Sequence, residues 1–173
     1  IEDLLDVARI SRGKLELRRA RMDLRLALEQ ALEVSRPLCT ANAQALEVEI
    51  PPTPLYVDGD AVRITQAIAN LLNNAWKYTA STPDARIRVF SREVEGVREY
   101  CVGDNGAGFD MARADKLFQP FQRMHQPHEF AGLGIGLATS RRIVQRHGGV
   151  LRAQSALGEG ATFSFTLPPT GGG

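Results

Sequence analysis

The stretch from Asp60 to Thr79 constrains the fold of this 173-residue chain more than any other. Wound as an α-helix, it places an apolar stripe on one face, which is typical of a helix packed on a core: Ile64, Ile68, Leu71, Leu72 and Ala75. The opposite face carries amides and cations, with no carboxylate after Asp60: Arg63, Gln66, Asn70, Asn73, Asn74 and Lys77. Asparagine is a poor helix former, so this face costs helical stability.

Two interpretations of that polar face are open: a solvated surface, or a face turned towards a ligand rich in oxygen. Solvated helix faces usually mix Glu with Lys, because such pairs stabilise the helix. Amide oxygens complete the coordination of hard cations such as Mg²⁺, and amide nitrogens donate to phosphate. Lys77 would add a point charge for the same phosphates. The composition of the face favours the ligand.

Composition excludes several classes of function. With 43% apolar residues the chain can bury a core, and it is most simply one domain with attachments. The 21 basic and 20 acidic residues nearly cancel, so the charge gives no indication of nucleic acid. No apolar run is long enough to span a membrane and no signal-peptide pattern opens the chain, so we expect a cytoplasmic protein without direct membrane contact. Cys39 and Cys101 match no ligand spacing and are interpreted as buried free thiols.

The order of elements predicts an α+β fold. Apolar spacing predicts a helix over residues 1–12 that needs a partner, and the missing initial methionine indicates a fragment of a longer protein. A strand is expected from Lys14 to Met22, then a helix capped by Asp23 and running to about Asn42, with a possible kink at Pro37. Strands are then expected at 46–50 and 55–57, before the helix from Asp60 to Thr79, which we call the asparagine helix. After it come expected strands at 86–92 and 97–103, joined near Glu95. A helix at 135–147 and a hairpin at 149–156 and 161–167 complete the expected elements. Such an order predicts an antiparallel or mixed sheet covered by helices on one face.

A first glycine cluster, Asp104 to Phe109, directly follows a predicted strand. An Asp-Asn-Gly sequence alone is more often a plain turn. The functional alternative is a pocket floor, because glycines allow close backbone approach and would hold the acid there. The carboxylate of Asp104 would then accept a hydrogen bond from the exocyclic amine of adenine, which guanine does not offer at that position.

Two further glycine clusters follow. Gly132 to Leu137 runs into a predicted helix and would gather backbone N–H groups at a helix start, which suits an anion, although a plain loop is an equal alternative. It lacks the Gly-Lys-Ser/Thr of a Walker loop and follows no strand of a dinucleotide fold. Gly158 to Phe163 alone indicates a hairpin turn. Between the first two, Phe118 and Phe121 are expected to anchor a mobile segment in which Arg123 can reach a phosphate.

Together these motifs resemble the catalytic, ATP-binding domain of a sensor histidine kinase of a two-component system. The resemblance rests on five motifs in family order: NLLNNAWKYT, DNGAGFD, LFQPFQR, GLGIGLATSRRIVQRHGG and GEGATFSFTLP. It would make residues 14–168 the catalytic domain, residues 1–13 the end of the dimerisation and phosphotransfer helix, and residues 169–173 a disordered tail. The sequence around Glu129–Gly132 and Arg146–Gly149 is similar to phytochrome-type and hybrid kinases.

The resemblance implies a two-layer α/β sandwich of the Bergerat type, with a mixed, mostly antiparallel sheet, helices on one face and a flexible ATP lid. By motif position, Asn74 would ligate Mg²⁺, with Asn70 supporting the metal and phosphates. Lys77 and Arg123 would contact phosphates, and Tyr78 would line the nucleotide site. The remaining implied roles are adenine recognition by Asp104, a pocket shaped by Gly106 and Gly108, support of Asp104 by Thr162, and a lid hinge and phosphate-facing loop formed by Gly132, Leu133, Gly134, Ile135, Gly136 and Leu137.

The implied reaction is transfer of the γ-phosphoryl group of ATP to a histidine, which depends mainly on positioning and charge neutralisation. Its implied partners are a histidine-containing dimerisation domain of the same protein, a second copy in a homodimer, and the receiver domain of a response regulator. Leu133 departs from the family, which commonly has a small or hydroxyl residue there. His147 is interpreted as a partner of a helix dipole, and His125 and His128 as loop residues rather than metal ligands.

Two alternatives remain beside the kinase. A hydrolase of the same superfamily would place a water-activating glutamate four residues before the metal-binding asparagine, and Asn70 stands at that position. A degenerate scaffold that signals by binding alone would not need Asn74, Lys77 and Asp104.

Overall fold

The computed structural model describes residues 16–41, 44–113, 118 and 136–168. The strands are β1 (Ala20–Asp23), β2 (Ala45–Glu49), β3 (Tyr56–Gly59), β4 (Arg86–Val94), β5 (Val97–Asp104), β6 (Leu151–Ser155) and β7 (Ala161–Phe165). The helices are α1 (Leu24–Ala41), α2 (Ala61–Tyr78) and α3 (Gly136–Arg146), with a 3₁₀ turn at Met111–Arg113.

The main sheet has five strands in the order β2-β4-β5-β7-β6. β2 runs parallel to β4, and every other neighbouring pair is antiparallel. β1 and β3 form a separate two-stranded antiparallel ribbon. Glu95 and Gly96, which join β4 to β5, both have positive φ, as a tight hairpin turn with primed geometry requires. The predicted mixed, mostly antiparallel sheet is confirmed.

The helices cover one face of the main sheet. Alternation along β4 buries Ile87 and Val89 beneath the helices and leaves Arg86 and Arg88 exposed on the other face. The apolar stripe of α2 is buried as predicted, together with residues of α1 and the inner sheet face: Leu24, Leu28, Leu32, Ile64, Ile68, Leu71, Leu72, Ala75, Val102, Phe163 and Phe165. The molecule therefore has two layers around one core.

The N-terminal strand is shorter than the predicted Lys14–Met22. It begins at Ala20 and ends at Asp23, because its pairing partner β3 offers only four residues, Tyr56–Gly59. Asp23 still caps α1, since its Oδ1 accepts from Arg25 N at 3.1 Å. α1 continues through Pro37 to Ala41.

Several predictions lie outside the described residues: the helix at 1–13, the tail at 169–173, and the roles of Phe121, Arg123, His125 and His128. The side chain of Cys39 is also outside them, whereas Cys101 is a buried free thiol as expected. Among the described helices, none is both long and apolar enough to cross a membrane.

Candidate functional site

The polar face of α2 is half-buried rather than fully open to water. Asp60 caps the helix, because its Oδ1 accepts from Val62 N at 3.1 Å and Arg63 N at 3.3 Å. With the apolar stripe fixed in the core, Asn70, Asn74 and Lys77 are each half-buried. Half-burial of these short amides favours the ligand interpretation over a fully solvated face.

Asn70 joins α2 to the second glycine cluster. Its Nδ2 donates to Gly136 O at 3.2 Å, at the first residue of α3. This contact places the start of α3, and the N–H groups that open it, beside the asparagine face. Gly132, Leu133, Gly134 and Ile135 lie outside the described residues. Leu137 does not face a ligand, because its side chain is 7% exposed and belongs to the core. Only the backbone of Leu137 is therefore available for the predicted phosphate-facing loop.

Asn74 lies one turn beyond Asn70 and has an unpaired side-chain atom. Its Nδ2 is buried, and no hydrogen-bond partner lies within the described part of the chain. A buried polar group without a partner costs about 1–3 kcal/mol. An amide that is unsatisfied in the ligand-free protein therefore indicates a position kept for a ligand.

Asp104, the last residue of β5, also has a buried side-chain atom without a partner among the described residues. Its Oδ1 accepts from Gly106 N at 2.8 Å, while Oδ2 is buried without a partner among the described residues. Burial raises the pKa of Asp104 to about 6, and the N–H groups of Gly106 and Ala161 oppose that rise. One oxygen of this carboxyl group is thus aligned by the glycine loop and the other is left to accept a further donor.

The first glycine cluster packs directly on the end of α2. A side chain on Gly106 would collide with the carbonyl of Tyr78, and Ala107 N donates to that same carbonyl at 3.3 Å. Burial, and then the charge of Asp104, raise the pKa of Tyr78 to about 12, so its hydroxyl stays protonated beside the carboxyl group. Tyr78 thereby connects the asparagine helix to Asp104.

The third glycine cluster forms the β6–β7 turn, as its sequence predicts, and also packs on the first cluster. Gly158 N donates to Ala107 O at 2.7 Å, and the backbone at Gly160 is so close to Asp104 that a side chain would collide with its carbonyl. Ser155 was not predicted as part of the site. Its hydroxyl accepts from Phe109 N at 2.8 Å and donates to Gly160 O, holding the two loops together.

The strand register corrects the role expected of Thr162. Asp104 pairs with Ala161, whereas Thr162 pairs with Gly103. Directly opposed residues of an antiparallel pair share a face, so Thr162 lies on the other side of the sheet from Asp104. A Cβ placed on Gly103 would lie 3.2 Å from Thr162 Oγ1, so the side chain of Thr162 adjoins Gly103 and not Asp104. Ala161 is therefore the residue of this motif that adjoins Asp104. Alternation back from the buried Phe163 and Phe165 would have shown this in the sequence.

Phe118 packs as expected of an anchor. Its ring meets Phe163 edge to face with 6.2 Å between centroids, and the guanidinium of Arg141 lies 5.2 Å above it.

Gly108 has a φ of +68°, and a side chain there would collide with the carbonyl of Ala156. The start of α3 and the loop after β5 thus both contact the asparagine helix.

Comparison with known proteins gives a consistent result. Residues 59–171 match the family model described as histidine kinase-, DNA gyrase B-, and HSP90-like ATPase. The chain is 35% identical over 171 residues to the adaptive-response sensory kinase SasA of Synechococcus sp. (strain JA-3-3Ab), covering 97% of this chain and 44% of that protein. It is 32% identical over 169 residues to the histidine protein kinase DivJ of Caulobacter vibrioides, covering 97% and 28%. The chain thus spans less than half the length of these two relatives.

Solved structures show the same fold. Full-length ShkA in complex with AMPPNP superposes with a TM-score of 0.81 at 26% identity, covering 96% of this chain and 34% of that one. The mycobacterial sensor histidine kinase MprB superposes with a TM-score of 0.74 at 27% identity, covering 88% of this chain and 99% of that one.

Proposed function

This chain belongs to the family of histidine kinase-, DNA gyrase B- and HSP90-like ATPases, and we propose that it is the ATP-binding catalytic domain of a sensor histidine kinase. In that role it transfers the γ-phosphoryl group of ATP to a histidine of a dimerisation domain in the same protein. The phosphoryl group then passes to the receiver domain of a response regulator. We further propose that the whole protein is a homodimer and that this domain works in the cytoplasm.

The observation that carries the proposal is a pair of unsatisfied polar atoms. Asn74 Nδ2 and Asp104 Oδ2 are two of the three buried side-chain atoms without a partner in the described part of the chain. Both adjoin Tyr78, because Asn74 lies one turn before Tyr78 and the Asp104 loop packs on Tyr78, and we propose that they face one nucleotide cleft. A ligand with a donor at one end and oxygens at the other would satisfy both atoms. An adenine amine and a triphosphate supply those groups.

The asparagines also fit a divalent cation held largely by the substrate. Mg²⁺ usually keeps several waters and takes few protein ligands beside phosphate oxygens, so the absence of an acidic cluster among the described residues does not conflict with it. Asn74 would offer its Oδ1 to the metal while its unpaired Nδ2 donates to a phosphate oxygen, with Asn70 beside it. Once bound, the metal would neutralise phosphate charge. Lys77 would add a cation at the same end of the cleft, and Arg123 keeps that role as a prediction.

The acceptor histidine is proposed to lie outside these 173 residues. His147 cannot accept a phosphoryl group in this fold, because it is 1% exposed and both of its ring nitrogens are hydrogen-bonded. The hydrolase alternative finds no base in the described site, since Asn70 occupies the position of the required glutamate and contacts Gly136 instead. No observation favours the scaffold alternative.

The proposal is tested with ATP labelled at the γ-phosphate, the chain and the proposed dimerisation domain, using acid-labile label on that domain as the readout. Wild type should transfer the label and Asn74→Ala should lose at least about 100-fold in rate, because it removes the proposed metal ligand. Asn73→Ala is the matched control, since it removes a neighbouring asparagine to which no site role is assigned. Equal rates for Asn74→Ala and wild type would contradict the assignment.

A further inference from the structure

α2 and α3 lie antiparallel and are joined by three polar bonds along their contact. Asn70 bonds Gly136 O at one end, as described above, and Ser140 Oγ donates to Ala67 O at 2.9 Å in the middle. At the far end Asp60 N donates to His147 Nε2 at 3.0 Å. Ser140 is 0% exposed, so this contact is shielded from water. Each bond pairs one residue of α2 or its cap with one residue at or just beyond α3.

His147 occupies its end of the contact in a single protonation state. Its Nδ1 lies 2.8 Å from Ile143 O, and a carbonyl only accepts, so Nδ1 carries the proton. Its Nε2 accepts the backbone N–H of Asp60 and is therefore unprotonated. The ring is neutral, with one defined tautomer. A side chain on Gly59 would come within 3.2 Å of His147 Cδ2, so the backbone packs closely against the ring.

The hydrogen bond from Asp60 N to His147 Nε2 involves the residue that caps α2. Its Oδ1 caps the first turn of α2, and its Oδ2 accepts from Arg18 N at 3.0 Å. His147 binds the remaining polar group of the same residue, the backbone N–H. The start of the asparagine helix is consequently fixed from two sides by residues far away in the sequence.

We propose that His147 is a positioning residue for the nucleotide site, which holds the asparagine helix and α3 in register as a neutral hydrogen-bond acceptor. The inference rests on the proposed function, because the register decides which backbone groups of α3 face Asn70. A slip of one residue along a helix is about 1.5 Å, which is enough to break all three polar bonds. Without the acceptor at His147, Gly136 would no longer be held opposite Asn70.

Protonation of His147 would break this arrangement, because Nε2–H would face Asp60 N–H, and two donors do not bond. Burial lowers the pKa of His147, Arg19 acts in the same direction, and Ile143 O, Asp60 and Asp58 oppose it. The charged groups that act on it are thus Arg19 before β1, Asp58 on β3 and Asp60 at the cap of α2, and Arg146 precedes it in the sequence. The neutral ring is complete above the ordinary histidine pKa and is lost as pH falls through the lower folded value.

The test compares wild type with His147→Gln and His147→Asn. A glutamine oxygen reaches the position of Nε2 and still accepts from Asp60 N, but it does not titrate. An asparagine reaches only the position of Nδ1 and leaves Asp60 N unpaired. Affinity for a non-hydrolysable ATP analogue with Mg²⁺ is measured by calorimetry between about pH 5.5 and pH 8. Asp104 titrates in the same range in all three proteins, so its effect cancels in the ratio of affinities.

At neutral pH we expect His147→Gln to bind within about two-fold of wild type and His147→Asn about ten-fold more weakly. Below the lowered pKa of His147, the ratio of wild-type to His147→Gln affinity should fall, because only wild type then loses its acceptor. Binding of His147→Gln at neutral pH as weak as that of His147→Asn would overturn the inference, because the glutamine keeps the acceptor for Asp60 N.

Amide hydrogen exchange at Asp60 in the nucleotide-free proteins separates this inference from the proposed function. Exchange should be slow in wild type and His147→Gln and at least about ten-fold faster in His147→Asn. Equal exchange in all three proteins would overturn the role of His147 alone. Failure of wild type to bind the analogue, with the expected exchange pattern, would contradict the proposed function and leave the hydrogen bond established.

Discussion

Asp104 is the residue at which stability and binding conflict most directly. Its carboxyl group is held by Gly106 N on one oxygen and left unpaired on the other, and burial raises its pKa to about 6. Because the folded pKa lies above the ordinary value, the stabilising contribution is complete below about pH 4 and is lost as pH rises through about 6. At neutral pH the ligand-free protein therefore carries a buried charge that a bound ligand would satisfy.

Asp104→Asn should stabilise the ligand-free protein and weaken nucleotide binding at the same time. The variant keeps an oxygen for Gly106 N and removes the buried charge, so we expect about 2 kcal/mol of added stability at about pH 8 and little change at about pH 3.5. Urea unfolding at both pH values measures it. Asp110→Asn, an exposed carboxylate further along the same loop, is the control and should change neither quantity. Destabilisation by Asp104→Asn at the higher pH would show that the carboxylate is satisfied within the protein.

At the scale of elements, α2 depends on both of its ends. Asp60 caps the first turn and contacts the incoming segment through Arg18, while the last turn is covered by the loop that follows β5. The asparagine face contributes little helix propensity between these ends. The helix is therefore held by tertiary contacts more than by its own sequence.

Asp60→Ala should destabilise the protein by about 1–2 kcal/mol, because it leaves Val62 N, Arg63 N and Arg18 N without their acceptor. Asp60→Asn keeps the Oδ1 acceptor for the cap but turns an amide donor towards Arg18 N, so it should cost about 0.5–1 kcal/mol, less than Asp60→Ala. Chemical unfolding of both variants gives the comparison. If the two variants were equally destabilised, the charge rather than the cap would be the stabilising feature.

The sequence predicted helices better than strand details, for physical reasons. The periodicity of α2 and the cap of α1 at Asp23 are local features, so both were predicted correctly. The length of β1 depends on its partner β3, which no local pattern reveals. The role of Thr162 was wrong because the strand register, and not the order of residues in a motif, decides which side chain adjoins Asp104. The packing of the first glycine loop on the third could not be predicted, because it depends on contacts between segments distant in the sequence, such as that of Ser155 with Phe109.

At the scale of the whole molecule, the outer sheet face has its own polar network. Glu99 on β5 is 3% exposed and pairs with Arg92 on β4 at 3.1 Å and with Arg152 on β6. Arg92 also reaches Ser164 on β7, at 3.4 Å. This network joins four strands on the face opposite the helices. It lies on the other side of the sheet from Asp104, since alternation places Glu99 and Asp104 on opposite faces.

Glu99→Gln should therefore lower stability without changing nucleotide affinity. We expect a loss of about 1–2 kcal/mol, because the buried carboxylate is replaced while two partly exposed guanidiniums remain. Thermal unfolding and calorimetric titration of the same sample measure both quantities. A large fall in affinity would mean that the outer face communicates with the cleft.

The central claim is that this chain binds an adenine nucleotide through Asp104 and the asparagine helix. Its most direct test is calorimetric titration with a non-hydrolysable ATP analogue, with and without Mg²⁺, beside the matching GTP analogue. The account predicts binding that Mg²⁺ strengthens and a preference for adenine of at least about ten-fold, because guanine offers no exocyclic donor to Asp104 at that position. Equal binding of both nucleotides, or no binding of either, would contradict it.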